Sequence, residues 1–128
     1  GYSDITALLL MIYKKTGMIS YHSPMLSGDF GVEGEVNKYT LENFFKAIND
    51  ERLEYSGNKL YRSGTAEGVI WGGNLATVVS LCGLDFVPNE NFIFFAEDLN
   101  EPVYKIDKSK KNINLIKVCQ IYQNIKNK

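Results

Sequence analysis

The stretch GYSDITALLLMIY, at residues 1–13, decides the fold of this chain. It places Ser3 directly before a run of apolar residues that favours a helix. A serine on a tight turn between a strand and a helix is a nucleophile elbow, in which the hydroxyl projects above the helix N-terminus. Because an elbow follows a strand, two interpretations stand. Ser3 is a helix cap, or the chain begins in the middle of a larger domain.

The residues around this stretch predict a helix over residues 3–16, with Ser3 as its N-cap. Lys14 and Lys15 lie in its last turn, where positive charge is favourable, and Gly17 follows as a terminator. Apolar residues lie on nearly all sides of the helix, which predicts that it is buried. Residues 18–22 then form a β-like run, so the chain starts with a fragment of α/β alternation. Residues 23–35 are predicted to be a loop or linker.

The middle of the chain predicts one more helix and several short strands. Thr40 caps the helix, and the apolar positions of one face follow at helical spacing: Leu41, Phe44, Phe45 and Ile48. From residue 53 the pattern changes to short runs separated by glycines, which predicts strands at 53–55, 60–62 and 67–71.

The last third of the chain predicts alternating helices and one buried strand. A short helix begins at Gly73 or Asn74 and extends to Leu81. Residues 92–96 are a continuous apolar run, which is typical of a strand buried on both faces. Pro102 fits the first turn of a further helix that reaches residue 107.

Composition excludes several classes of function. A net charge of −1 lacks the basic character of a nucleic-acid-binding protein. The longest apolar runs are far too short to cross a membrane. The single histidine, His22, and the spacing of the cysteines provide no cluster for a zinc ion. Cys82 and Cys119 could form one disulfide, but two buried free thiols are the preferred interpretation.

Two residues are candidates for catalysis, each with a simpler alternative. Ser3 is a candidate nucleophile, although a serine before a helix is more often only a cap. Glu97 ends the apolar strand, and the carboxyl end of a buried strand is where α/β folds place functional side chains. Its alternative is a solvated charge in an acidic turn.

The other candidates concern binding. Gly72, Gly73 and Asn74 could expose backbone N–H groups to an anion or a peptide at a helix start, although glycine pairs are common in turns. Trp71 fits the core or a pocket wall. His22 is by default a structural histidine.

A hydrolytic serine needs a base, a group that orients the base, and donors for the oxyanion. Ser3 and Glu97 can supply the nucleophile and the orienting carboxylate, and the backbone N–H of Asp4 can supply an oxyanion donor. The base is the missing part, because His22 is the only imidazole and precedes a loop.

Taken together, these residues resemble the LD-carboxypeptidase family of serine peptidases, which includes the microcin C self-immunity proteins. The resemblance extends over residues 1–126 and rests on the order and spacing of six segments. They are GYSDITALL, IYKKTG, ISYHSPMLSGDFG, GVIWGGNL, FIFFAEDLNEPVYKID and, more loosely, CQIYQNIK.

The resemblance implies an α/β fold class in which two incomplete domains are joined. Residues 1–27 are the end of an N-terminal flavodoxin-like α/β sandwich that carries the nucleophile. Residues 28–52 are a linker and connecting helix. Residues 53–128 are a truncated C-terminal β-rich, barrel-like α+β domain.

The resemblance also implies an activity and a site. Ser3 matches the family nucleophile and Glu97 the triad carboxylate, with the Asp4 N–H at the oxyanion; Trp71, Gly72, Gly73 and Asn74 are the substrate-binding candidates. The family cleaves the bond to a terminal D-amino acid in murein tetrapeptides during cytoplasmic cell-wall recycling. The immunity branch cleaves a peptide–nucleotide conjugate. Neither a cofactor nor a metal is expected.

The chain also departs from the family. The triad histidine is expected further toward the C-terminus than residue 125, and His22 does not match it. The 128 residues alone are therefore expected to be an inactive fragment, with a homodimer or a complementary chain covering the first helix. Two alternatives stay open: a non-catalytic peptide-binding remnant, and an unrelated serine hydrolase with His22 as base.

Overall fold

The computed structural model describes residues 2–30, 36–57, 60, 62–99 and 101–114. Four α-helices and two strands follow one another in these residues. They are α1 (Ile5–Thr16), α2 (Lys38–Ile48), β1 (Val69–Asn74), α3 (Leu75–Ser80), β2 (Phe92–Glu97) and α4 (Val103–Asn114). A single π-helical turn, Leu26–Phe30, lies between α1 and α2.

The centre of the fold is a βαβ unit. Strands β1 and β2 are parallel, and their register pairs Val69 with Phe92 at one end and Asn74 with Glu97 at the other. Helix α3 connects them and packs on β1, as does α1. The described residues therefore form an α/β fold with a parallel sheet, as expected from the sequence. The division into two domains stays a prediction.

The N-cap of α1 lies one residue later than predicted. Asp4, not Ser3, is its N-cap, and its side chain makes no capping hydrogen bond. The carbonyls of Ser3 and Asp4 instead accept from the N–H groups of Thr6 and Ala7. The prediction that Ser3 caps the helix is therefore wrong. The predicted terminator is confirmed, since Gly17 has φ of +70° and donates its N–H to the Tyr13 carbonyl.

One hydrophobic core joins α1 to the βαβ unit. Trp71 of β1 lies at its centre, with its ring against those of Phe86, Phe92 and Phe94. Residues from all the central elements are buried around it: Leu10, Leu75, Val78, Leu81, Phe86 and Phe94. Each such side chain stabilises the fold by about 1.5–3 kcal/mol relative to an exposed one.

The C-terminal end of α1 is fixed by polar contacts to the chain between α3 and β2. Lys14 forms an ion pair with Asp85 (3.0 Å) and donates to the Asn89 side chain (2.8 Å). Tyr13 donates its hydroxyl to Glu90. These contacts join the end of α1 to the loop that leads into β2.

Helix α1 is less buried than its composition predicts. Only Thr6 and Leu10 are buried, whereas Ile5 and Leu8 are exposed. The helix packs chiefly against β1 and α3 of the βαβ unit, which leaves these side chains uncovered. This exposure fits the expected association with a second copy or another chain, which stays a prediction.

Two predicted strands are absent and a third is shifted. Residues 18–22 and 53–55 have no regular secondary structure. The strand predicted at 67–71 is present as β1, which begins two residues later. Part of the strand predicted at 60–62 lies outside the described residues. The described part of residues 53–114 contains two strands and two helices. The β-rich domain expected over residues 53–128 stays a prediction.

Other predicted elements are confirmed with shifted ends. Asn74 caps α3, and β2 extends one residue past the predicted strand, to Glu97. Asn37 rather than Thr40 caps α2, and α4 continues past residue 107 to Asn114. Cys82 is a free thiol but is exposed rather than buried, while Cys119 lies outside the described residues.

No helix in the described part of the chain is long and apolar enough to cross a membrane.

The contact between α1 and β1 can be tested through Thr6, which is completely buried and accepts a hydrogen bond from the Asn74 N–H. Thr6→Val keeps the shape of the side chain but leaves that N–H without its acceptor. We expect the free energy of unfolding in urea to fall by about 1–3 kcal/mol. Thr65→Val is the matched control at an exposed site and should stay within about 0.5 kcal/mol of the parent. Equal losses in both variants would contradict this role of Thr6.

Candidate active site

Ser3 has the backbone conformation of an elbow residue. Its φ is +62°, in the left-handed region, and Asp50 is the one other non-glycine residue with positive φ among those described. Such a conformation costs about 1–3 kcal/mol and is concentrated at functional sites. Ser3 is also exposed, directly before the first turn of α1. The strained turn places a hydroxyl-bearing residue at a helix N-terminus.

The N-terminus of α1 provides backbone donors beside Ser3. The first described N–H groups that bond within the turn belong to Thr6 and Ala7. Asp4 precedes them, where a helix leaves its N–H groups without intrahelical acceptors. The partial positive charge of the helix end favours a negative group there. The Asp4 N–H is thus in the part of the turn where an oxyanion can be stabilised.

Thr6 joins the elbow to the end of β1. Its Oγ1 accepts from the Asn74 N–H (3.1 Å), and Gly73 packs directly against its side chain. A Cβ at Gly73 would lie 2.6 Å from two atoms of Thr6, so only glycine permits this approach. The elbow therefore lies at the carboxyl end of β1, which is the end where α/β folds bind ligands.

Gly72 and Asn74 meet separate structural demands. Gly72 has φ of +144°, and a Cβ there would collide with the Phe95 carbonyl oxygen across the sheet. The Asn74 side chain accepts from the N–H and the hydroxyl of Thr77, both at 3.0 Å, which starts α3. The substrate-binding role predicted for Gly72, Gly73 and Asn74 stays a prediction.

Glu97 is the last residue of β2 and pairs with Asn74, at the end of the sheet where the elbow lies. Its side chain is partly buried. One carboxylate oxygen, Oε1, is buried and has no hydrogen-bond donor among the described residues. A buried carboxylate oxygen is costly without a donor, so this atom is suited to accept from a group that the described residues do not supply.

His22 lies over the same face of the sheet as Glu97. Its ring packs edge-on against Phe95, with ring centroids 5.2 Å apart, and Phe95 and Glu97 share a face because they are two residues apart on β2. His22 is exposed as a whole, but the partial burial of its ring lowers the pKa of the imidazole below the usual 6.5. The Glu97 carboxylate opposes that shift by raising the pKa.

A cavity of about 400 Å³ lies beside this face, along β1. It is mostly apolar, and α1, the segment at 19–22, β1 and β2 all contribute to its wall. The lining residues are Leu9, Leu10, Tyr13, Ile19, Ser20, His22, Val69, Ile70, Trp71, Gly72 and Phe95. Of the four predicted substrate-binding residues, Trp71 and Gly72 line it, whereas Gly73 and Asn74 do not.

Trp71 is principally a core residue. It is 2% exposed and packs against three phenylalanine rings. Its indole Nε1–H is buried and has no acceptor within the part of the chain that the structure describes. The interpretation of Trp71 as core or pocket wall therefore matches its position.

Two contributors to the site were not identified from sequence. Thr6 was missed because a buried threonine inside an apolar helix carries no local signal. Phe95 was missed because its sequence context is that of several core phenylalanines.

In the described ranges, no group of three or more His, Cys, Asp or Glu side chains is placed to hold a metal ion.

Comparison with known proteins assigns this chain to a class of peptidases. Residues 67–125 match the model of the LD-carboxypeptidase C-terminal domain. A probable murein peptide carboxypeptidase of Bacillus subtilis is 34% identical over 113 residues, covering 84% of this chain and 35% of that protein. The chain belongs to the LD-carboxypeptidase family, together with the microcin C self-immunity proteins.

Further relatives support the same family. The microcin C7 self-immunity protein MccF of Escherichia coli is 32% identical over 156 residues, covering 98% of this chain and 44% of that protein. Its structure superposes with a TM-score of 0.71 at 28% identity, covering 92% of this chain and 44% of that one. A muramoyltetrapeptide carboxypeptidase from Oxalobacter formigenes superposes with a TM-score of 0.80 at 25% identity, covering 92% and 40%. The chain spans less than half the length of these relatives.

The electrostatic influence of Glu97 on the pKa of His22 can be measured directly, because His22 is the only histidine in the chain. In a proton NMR titration its C2–H resonance should give a pKa below 6.5. Glu97→Gln removes the carboxylate that raises this pKa, so the pKa should fall further. Asp98→Asn is the control, because Asp98 lies next in sequence and is not among the causes of the shift. An unchanged pKa in Glu97→Gln would show that the two groups are not close.

Proposed function

We propose that this chain is the catalytic part of a serine carboxypeptidase-type hydrolase that cleaves an LD-peptide bond to a terminal D-amino acid. The substrate is the murein tetrapeptide, and the setting is cytoplasmic cell-wall recycling. One observation carries the proposal. Ser3 lies at positive φ before α1, and Thr6 fixes that turn to the end of the sheet where Asn74 pairs with Glu97.

The proposed reaction uses groups in this arrangement. Ser3 Oγ attacks the carbonyl carbon of the terminal peptide bond while a base takes its proton. The Asp4 N–H donates to the oxyanion, at a helix end that favours negative charge. The protonated base then gives its proton to the leaving amine of the D-amino acid. Water attacks the acyl-enzyme in the second half of the reaction, and Ser3 is regenerated.

Glu97 would orient the base. Its buried Oε1 lacks a donor among the described residues and would accept the N–H of the catalytic imidazole. Such a carboxylate fixes the tautomer of the histidine and stabilises the imidazolium that forms. The orphaned oxygen is therefore explained if a histidine donates to it in the active enzyme.

We do not assign the base to His22. Its ring is engaged by Phe95, and the family resemblance puts the triad histidine elsewhere. The competing hypothesis, in which His22 takes the proton of Ser3, requires its ring to come within hydrogen-bond reach of Ser3, directly or through one water.

A second candidate function is hydrolysis of a peptide–nucleotide conjugate, as in the immunity branch. The observation that favours it is the match to MccF over 98% of this chain, compared with 84% for the murein peptide carboxypeptidase. MccF structures have been determined in complex with aspartyl sulfamoyl adenosine and with glutamyl sulfamoyl guanosine. A non-catalytic peptide-binding remnant is the third reading.

The assignment of the base predicts that residues 1–128 alone release no D-alanine from the murein tetrapeptide. The expected rate equals that of the buffer control, measured by oxidation of released D-alanine with D-amino acid oxidase. Hydrolysis by the purified chain would refute this assignment. If His22→Gln then abolished that hydrolysis while Ser23→Ala did not, His22 would be the base.

The roles of Ser3 and Glu97 can be tested in a chimera. In it, this chain replaces the matching segment of the Bacillus subtilis relative, which supplies the remaining residues. We expect the chimera to release D-alanine from the tetrapeptide, and Ser3→Ala to lower kcat about a thousandfold or more. Glu97→Gln should lower kcat with little change in KM.

The controls of this experiment are Ser56→Ala and Glu67→Gln, which make the same chemical changes at exposed positions. Circular dichroism establishes that each chimera is folded. A folded, active chimera that is insensitive to Ser3→Ala would disprove the proposed nucleophile. Preference for a peptide–nucleotide conjugate over the tetrapeptide would favour the immunity branch.

A further inference from the structure

Helix α1 is attached to the βαβ unit by polar contacts at two places, one near each of its ends. Near its N-terminus, Thr6 accepts from the N–H of Asn74, the last residue of β1. Near its C-terminus, Tyr13 and Lys14 contact the chain that leads into β2. The carboxyl end of β1 and the start of β2 lie at opposite ends of the parallel sheet. The helix therefore runs along the strands in the opposite direction to them.

The second attachment consists of five polar side chains, which we call the C-terminal clamp: Tyr13, Lys14, Asp85, Asn89 and Glu90. Lys14 forms an ion pair with Asp85 (3.0 Å) and donates to the Asn89 side chain (2.8 Å). Tyr13 donates its hydroxyl to Glu90. Consecutive residues of a helix point about 100° apart, so the clamp contacts α1 from two directions. The Lys14 side chain is 11% exposed, which indicates a closely packed contact.

The loop that carries the acceptors is itself held by the core. Phe86 and Pro88 are buried between the polar positions, and the Phe86 ring packs on Trp71 with centroids 5.3 Å apart. Asn91, which directly precedes β2, accepts from the Val69 N–H at 3.0 Å. The clamp therefore connects α1 to a part of the chain that is anchored beside β2, the strand that ends at the candidate carboxylate.

The rest of α1 leaves the direction of its C-terminal half to this clamp. Thr6 and Leu10 are the buried residues of the helix, and no side chain of α1 after Leu10 is buried. Apolar packing at Leu10 is non-directional, whereas hydrogen bonds require a defined angle. The contacts of Tyr13 and Lys14 therefore determine where the second half of the helix points.

We propose that Tyr13 and Lys14 are positioning residues of the hydrolytic reaction. By fixing the direction of α1, they set the position of Ser3 relative to Glu97. The roles of these two reacting groups rest on the proposed function. The proposal adds that residues at the far end of the helix, which do not touch the substrate, determine how well those groups are aligned.

The geometry makes Ser3 sensitive to the clamp, because α1 can turn about its contact at Thr6. Along the helix, Lys14 is about 12 Å from Thr6, and Ser3 is about 4.5 Å from Thr6 on the other side. A displacement of about 3 Å at Lys14 would therefore move Ser3 by about 1 Å. A misplacement of about 1 Å at a reacting group can lower the rate about a hundredfold.

The first test uses the chimera with the Bacillus subtilis relative. Lys14→Met removes the ion pair and the hydrogen bond of Lys14 but keeps an unbranched side chain. We expect kcat to fall about ten- to hundredfold while KM stays within about twofold. Lys15→Met is the matched control, because it makes the same change at the exposed neighbouring residue and should leave kcat unchanged. Lys14→Arg keeps a cation that can reach the same acceptors and should restore most of the rate.

A second, smaller change tests the other half of the clamp. Tyr13→Phe removes only the hydroxyl that donates to Glu90, and it should lower kcat in the same direction. Tyr39→Phe is its control at a residue that is 63% exposed. Because polar contacts near the surface add little stability, each chimera should melt within about 2–4 °C of the parent. A purely structural role would instead lower the melting temperature and leave kcat unchanged where the chimera is folded.

The direction of α1 can be measured on the chain itself from residual dipolar couplings of the backbone amides. The reference directions are those of β1 and β2. In Lys14→Met the angle between α1 and the strands should change by about 10–15°, which corresponds to about 3 Å over a lever of about 12 Å. In Lys15→Met the angle should equal that of the parent.

The outcomes separate this proposal from the proposed function. An active, folded chimera that keeps its kcat with Tyr13→Phe and Lys14→Met combined overturns the positioning role and leaves the proposed function intact. An equal loss in Lys15→Met, or a rise in KM at unchanged kcat, also overturns it. An inactive parent chimera contradicts the proposed function. The angle of α1 then decides the proposal: a change in Lys14→Met supports it, and an unchanged angle overturns it.

Discussion

The hydrogen bond from the Asn74 N–H to Thr6 Oγ1 is the contact on which the site depends. It is made inside the protein, where Thr6 has no exposed surface, so a lost partner would leave a polar group without compensation. It connects the first turn of α1 to the last residue of β1. Ser3 is three residues before Thr6, so the position of the candidate nucleophile relative to the sheet is set by this bond.

The glycine pair shows how two demands can meet at adjacent residues. Gly73 lets Thr6 approach from the α1 side, and Gly72 lets the Phe95 carbonyl approach from β2. Read locally, two glycines before a helix suggest an anion-binding turn. In the structure each one removes a Cβ that would separate two elements, so the pair brings α1, β1 and β2 together at one point. The glycines place the site whether or not they also touch a ligand.

The parts of the fold that depend on residues close together in the sequence could be predicted. Gly17 ends α1 and Asn74 starts α3 because each acts through backbone groups of its own turn. The apolar run of β2 was recognisable for a similar reason. Predictions failed where a distant partner decides the outcome. Residues 18–22 have the composition of a strand but no strand beside them. Helix α1 is apolar on several sides, but the βαβ unit covers only one of them, so Ile5 and Leu8 stay exposed.

The candidate site was predicted in the same partial way. Ser3 and Glu97 could be proposed from sequence because each occupies a recognisable local position, before a helix and at the end of a strand. Their common location could not, because it depends on Thr6, on Gly73 and on the register that pairs Asn74 with Glu97. The left-handed φ of Ser3 was likewise hidden, since a capping serine and an elbow serine have the same sequence context.

The register of β1 determines how the elbow is anchored to the sheet. Asn74 can donate to Thr6 only because its N–H points away from β2. Strand alternation then requires that Gly72 and Ile70 also point away, toward the cavity. A shift of one residue would direct Asn74 into the sheet and remove the contact to Thr6. The register that pairs Asn74 with Glu97 therefore also fixes Ser3 at the end of the sheet where Glu97 lies.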